Sequence, residues 1–146
     1  MNDCVFCTSP DIKEHTIVRE DLAWAFPTNI PITPGHTLIC PVRHVEKIID
    51  LTSEERAALF DLAEKIKIAL RAVYGVEGFN HAWNEGEVAG QAVPHLHLHI
   101  VPRKHGDDGI TEYEPRKFLY RPGSRETTPE AELKMVAEQI KKAIGI

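Results

Sequence analysis

The chain has 146 residues, 17 Lys+Arg against 22 Asp+Glu for a net charge of −5, and 42% hydrophobic residues. That length and balance fit a single folded domain, residues 1–146, with its own core, and they exclude a disordered chain. The mild acidity gives no overall pull towards nucleic acid or an anionic membrane; no apolar run reaches the ~20 residues of a bilayer span, and the opening Met1-Asn2-Asp3-Cys4 lacks the parts of a secretory signal, so a cytoplasmic protein without nucleic-acid or membrane partners is expected.

The first element is a Cys-x-x-Cys pair, Cys4-Val5-Phe6-Cys7. With Cys40 the cysteines number three, an odd count that argues against a disulfide framework. The pair reads as two small apolar residues, as a redox couple, or as two thiolate ligands that need two more for a closed tetrahedral site. Thr16 to Arg19 and Leu22 to Phe26 read as strands joined at Glu20-Asp21, and Pro27 to Gly35, with three prolines and a glycine, as a rigid loop. His36 to Val42 reads as a buried strand.

Thr52 followed by Glu55 forms a capping box, and Leu59, Leu62, Ala63, Ile66, Leu70 and Val73 line one face of a helix that Gly75 stops. Gly78 to Asn84 is a strand, Glu85 to Gln91 a loop, and His95 to Val101 a strand ended by Pro102. Gly106 to Arg125 is polar and irregular; its Arg116, Lys117, Arg121 and Arg125 read as a charged surface loop rather than a polyphosphate or partner contact. A last helix has Thr128 as N-cap and Pro129 at its first position, with Leu133, Val136, Ile140 and Ile144 facing the core. The order strand, strand, strand, helix, strand, strand, helix predicts an α+β fold with a mainly antiparallel sheet.

Along a strand, His95, His97 and His99 share one face, neighbours about 6.6 Å apart, while Leu96, Leu98 and Ile100 share the other. The outer pair is too far apart for one ion held by all three. Separate tasks suit them better: neutral imidazole is a nucleophile, and a protonated one donates to an oxyanion. His15, His81 and His105 have no such context, and Trp24 and Trp83 read as core or interface.

Gln91-Ala92-Val93-Pro94-His95-Leu96-His97-Leu98-His99-Ile100-Val101 resembles the signature of the histidine triad family. Pro34-Gly35-His36-Thr37-Leu38 with Cys40-Pro41, and Asn84-Glu85-Gly86 before Gly90-Gln91, resemble two further blocks, so the likeness runs from Cys4 to about Gly106 and leaves 107–146 as a C-terminal loop and helix. The resemblance implies a five-stranded antiparallel sheet with one long helix, and a homodimer that joins two sheets. It implies a nucleotide hydrolase or transferase acting at the α-phosphorus through a nucleotidyl-histidine, with no organic cofactor. His97 would be the nucleophile, with His99 and His36 flanking the phosphate. Asn84, Gln91 and backbone N–H groups around Gly90 would meet the phosphate or leaving group. Phe6, Phe26, Ile17 and Ile30 are candidates for an apolar nucleoside pocket, or ordinary core. Dinucleoside polyphosphates are the favoured substrates; nucleoside phosphoramidates, phosphorolysis, or a binding module with little turnover are the alternatives. Two positions depart from the family pattern. Thr28, with Asn29 beside it, stands where relatives place a ribose-binding residue, and Ala92 stands where some place a proton-donating serine.

The zinc-bearing branch of the family combines two cysteines, a later histidine and the first triad histidine. Here those positions are Cys4, Cys7, His44 and His95, which the resemblance implies as ligands of a structural zinc. Cys40, on a buried strand, reads as packing.

Overall fold

A computed structural model describes residues 4–107 and 127–146. The basic run Arg116 to Arg125 lies outside them. Five strands form one sheet: β1 (Val18–Arg19), β2 (Ala23–Pro27), β3 (Thr37–Pro41), β4 (Gly78–Ala82) and β5 (Leu98–Arg103), in the order β1-β2-β3-β5-β4. Every neighbouring pair is antiparallel, as the sequence predicts. α3 (Ser53–Tyr74) covers one face, against Ala25, Ile39, Leu98 and Ile100. The other face carries Phe26, Leu38 and Cys40 with Phe6 and Ile12. These last two residues come from α1 (Val5–Thr8) and α2 (Pro10–Glu14), short helices without a sequence signal because neither is long enough to show a period. No described helix is long and apolar enough to cross a membrane.

The register brings the histidines together. Phe26 pairs with Leu38 and Leu38 with His99, so these three share a face. His36 lies two residues before Leu38 and joins them. Gly35 sets the turn into β3 at φ +89°, and a Cβ there would stand 2.7 Å from the Tyr74 ring, so this close approach of loop to α3 requires glycine.

Several boundaries differ from expectation. β1 keeps only two residues, and β2 runs on into Pro27, the residue at which a loop was expected. β5 begins at Leu98, not His95, and continues through Pro102 to Arg103. The final helix, α4 (Glu130–Ile144), has Pro129 rather than Thr128 at its N-cap: the Pro129 carbonyl accepts from the Glu132 and Leu133 N–H groups, while the Thr128 N–H is donated to Asn29 O at 2.8 Å. α4 docks on α3 and β2 of the same polypeptide, burying Leu133, Ala137 and Ile140.

At the start of α3 the capping box forms in full: Thr52 Oγ1 accepts from the Glu55 N–H at 3.1 Å, and Glu55 Oε1 from the Thr52 N–H at 2.9 Å. Glu55 also accepts from Arg43 Nε and Nη2 at 3.1 and 2.8 Å. The helix start is thus tied to the segment that carries His44. The Arg43 guanidinium leads in pulling the Glu55 pKa down to about 2, from 4.5. A depressed carboxyl stabilises the fold above its unfolded pKa, and that contribution is lost as pH falls through the folded one. Glu55→Gln is therefore expected to lower Tm by several degrees at pH 7, with the deficit closing between about pH 4.5 and pH 2. Thermal unfolding at stepped pH checks this; a deficit that persists undiminished at pH 2 refutes it.

Candidate active site and metal centre

The segment Val93 to His97 bends before β5 begins. Its backbone is held by the Leu96 N–H, donated to Val45 O at 2.7 Å. Leu96 stays in the core, and the rings of His95 and His97 take different surroundings.

His97 is buried, and its Nδ1 lies 2.8 Å from the His95 carbonyl. A carbonyl only accepts, so Nδ1 carries the proton and Nε2 the lone pair. Burial lowers the His97 pKa, against the carbonyl bond that raises it, which favours the neutral ring. His36 and His99 have the opposite tautomer. The Ile32 N–H donates to His36 Nδ1 at 3.0 Å, so His36 Nε2 holds the proton and donates it to His99 Nδ1 at 2.9 Å. His99 then keeps its proton on Nε2. The His97 and His99 ring centroids are 5.0 Å apart. A lone-pair nitrogen and an N–H donor thus stand side by side.

Both rings line a cavity of about 500 Å³, within the range of small-ligand sites. Phe6, Phe26, Asn29, Asn84 and Gly90 line it too. Phe6 meets the His97 ring edge-on, centroids 5.2 Å apart, and Asn84 donates to Gly90 O at 3.4 Å. Ile30 lines the cavity, whereas Ile17 is in the core on the other face. His36 is 1% exposed and stands behind His99, outside the lining. Gln91 is placed beside the cavity: its Oε1 accepts from the Gly86 N–H at 2.8 Å and its Nε2 donates to Glu46 O at 3.1 Å. The N–H groups of Gly90 and Gln91 are donated within the loop, to Glu87 O and Gly86 O. Thr28 and Ala92 both line the cavity. Sequence reasoning missed His15, Glu130 and Leu133, which line it from the N- and C-terminal helices. No local motif marks His15 and Glu130, because they meet across 115 residues.

Cys4, Cys7, His44 and His95 form one group, with all ligand atoms within 4.8 Å of one another. His95 Nδ1 lies 3.3 Å from Cys4 Sγ and 3.5 Å from Cys7 Sγ, and His44 Nδ1 lies 3.4 Å from Cys7 Sγ. A tetrahedral zinc with ordinary bond lengths separates sulfur from nitrogen by about 3.6 Å, so the four fit that ion. The His95 Nε2–H is donated to Pro41 O at 2.8 Å, which leaves Nδ1 as the ligand atom. Burial raises the Cys4 thiol pKa to about 11, so a cation is what would hold it as thiolate. Cys40 is buried outside the group.

Comparison with known proteins agrees with this architecture. The family model described as "HIT domain" matches residues 9–106. An uncharacterized HIT-like protein of Saccharolobus solfataricus is 35% identical, over 78% of this chain and 84% of that protein. A bis(5'-adenosyl)-triphosphatase of Dictyostelium discoideum is 34% identical over 81% of this chain and 76% of its own length. A zinc-bound histidine triad family protein of Mycobacterium smegmatis superposes with a TM-score of 0.72 at 26% identity, covering 97% of this chain and 93% of that one.

The tautomers are directly observable. Long-range 1H–15N spectra at a pH where the imidazoles are neutral are expected to show His97 protonated on Nδ1, and His36 and His99 on Nε2. An Nε2–H pattern for His97 contradicts the arrangement.

Proposed function

The chain belongs to the histidine triad family, and we propose that it is a nucleotide hydrolase that cleaves dinucleoside polyphosphates at the α-phosphorus, with His97 as nucleophile. The observation that carries this is the His97 Nδ1–H held on the His95 carbonyl, which leaves Nε2 as the lone-pair atom of a ring that lines the cavity. In the first step Nε2 bonds to the α-phosphorus and the bond from phosphorus to the bridging oxygen breaks. The departing nucleoside polyphosphate takes the electron pair. The positive charge that develops on the His97 ring is stabilised through Nδ1–H by the carbonyl. His99 donates its Nε2–H to a phosphoryl oxygen, and His36 fixes the direction of that donation. In the second step water adds to phosphorus, the N–P bond breaks, and a nucleoside monophosphate leaves.

Ala92 favours polyphosphate over phosphoramidate substrates. It offers no proton from the cavity wall, and a phosphate leaves as an anion whereas an amine must be protonated to leave. The relative named as a bis(5'-adenosyl)-triphosphatase supports the same substrate class. Asn84, Gly90, Phe6, Phe26 and Asn29 are the proposed substrate contacts. Cys4, Cys7, His44 and His95 are proposed to hold a structural zinc, and membership of the zinc-bearing branch is proposed with it; with four protein ligands the ion would supply rigidity and no open coordination position. The exposed edge of β4, near Trp83, is the proposed seam of a homodimer.

Purified protein given diadenosine tri- and tetraphosphate is expected to release AMP, and His97→Ala to lose roughly a thousandfold or more of that rate. Faster release from adenosine phosphoramidate moves the substrate class, and AMP release by His97→Ala at the wild-type rate refutes the nucleophile. Metal analysis is expected to find about one zinc per chain, as one tetrahedral site requires, absent from Cys4→Ser/Cys7→Ser. Chelation is expected to lower Tm, and an unchanged Tm refutes the structural role.

A further inference from the structure

The family model ends at residue 106, yet α4 and the residues just before it supply part of the cavity wall. Leu133, 3% exposed, supplies apolar wall, and the Thr128 N–H donated to Asn29 O fixes the start of the helix beside the rim. Glu130 enters the same wall. Its Oε1 accepts from His15 Nδ1 at 2.8 Å, and His15 is 4% exposed at the C-terminal end of α2. Lys134 and Glu14, paired at 3.0 Å, tie the same two helices together. A carboxylate with one oxygen committed to a buried histidine is oriented, and its second oxygen is an acceptor.

Charge orders the cavity. Glu130 and Asp11 line it from the terminal helices, and His97, His99 and Asn84 from the sheet and its loops. Two carboxylates repel phosphate, so the polyphosphate belongs at the imidazoles and the nucleoside against the helices. A nucleoside offers a carboxylate two kinds of donor, ribose hydroxyls and the exocyclic amine of the base. Thr28 and Asn29 put no carboxylate of their own at the rim.

We propose that α4 completes the nucleoside pocket and that Glu130, oriented by His15, is a specificity residue that accepts hydrogen bonds from the nucleoside's O–H or N–H donors. The proposal rests on the hydrolase reading above, because it takes the phosphate to lie at His97.

The test is equilibrium binding by calorimetry to the full-length protein, which needs no turnover. The ligands are AMP, 2′-deoxy-AMP, 3′-deoxy-AMP and purine riboside 5′-monophosphate, which lacks the 6-amino group. The proteins are wild type, Glu130→Gln and Glu130→Ala. Glu130 is one-third exposed, and glutamine keeps an acceptor for His15, so both variants are expected to fold, with Tm as control. Losing a hydrogen bond to a charged acceptor is expected to weaken AMP about tenfold or more in each variant. One analogue is expected to bind wild type about tenfold more weakly than AMP, and Glu130→Ala as well as AMP does. A deoxy analogue that behaves so makes the ribose the source of the donor; purine riboside makes it the base. Variants that bind AMP as wild type does, or analogues that lose the same factor in all three proteins, overturn the proposal and leave the hydrolase reading in place. Wild type that neither binds AMP nor releases it removes the hydrolase reading as well.

Discussion

His95 is the residue on which both sites depend. Its ring spans from the Pro41 carbonyl to the two cysteine sulfurs, and its own carbonyl receives the proton of His97. It is 1% exposed, so each of these polar atoms must be matched inside the protein or the fold loses the cost of its desolvation. The ring cannot tilt without moving the backbone that sets the tautomer of His97. Phe6 adds a second link, since it lies between Cys4 and Cys7 and its ring packs against both His95 and His97. A centre that fixes two cysteines therefore also fixes one wall of the cavity.

The rest of the triad is ordered from the opposite side. The backbone N–H of Ile32 starts a relay of donation through His36 to His99, and the backbone carbonyl of His95 ends the bond from His97. Backbone groups hold these tautomers because they cannot exchange donor for acceptor, as a hydroxyl or water can. The antiparallel register makes the arrangement possible, because Leu38 opposite His99 puts residues 36 and 99 on one face. A one-residue slip would send His36 into the core under α3.

The sequence made legible what is local or periodic. The capping box of α3, the glycine that ends it and the all-antiparallel sheet follow from short-range rules, and the structure reproduces them. The triad shows as an alternating run, and the family resemblance implied Cys4, Cys7, His44 and His95 as one group, which the structure brings together. What escaped depends on distant partners or on single bonds. α1 and α2 are too short to show a period. The late start of β5 goes with the bend held by Val45, and the cap of α4 with the bonds that the Pro129 carbonyl accepts from Glu132 and Leu133. The resemblance marked His36 as a site residue, but its hydrogen bond to His99 joins residues 63 apart and leaves no local signal. His15 carried no motif, and its role emerges only when a carboxylate from the far end of the sequence lies beside it.

The two tautomers also govern the energetics of the chemistry. A protonated His97 would be buried without a counter-ion among the described contacts, and burial moves its pKa in the direction that resists this. The His97 ring thus rests neutral, with its lone pair on Nε2 beside the Nε2–H donor of His99. In the reaction proposed for it, bonding to phosphorus would create charge on the His97 ring only when the phosphoryl oxygens are already beside it. The cation would then form beside an anion already present, and the low-dielectric interior stabilises such a pair more than it would either charge alone. In the proposed reaction an anhydride oxygen leaves from that pair as an anion, so a wall with Ala92 in it suits a polyphosphate.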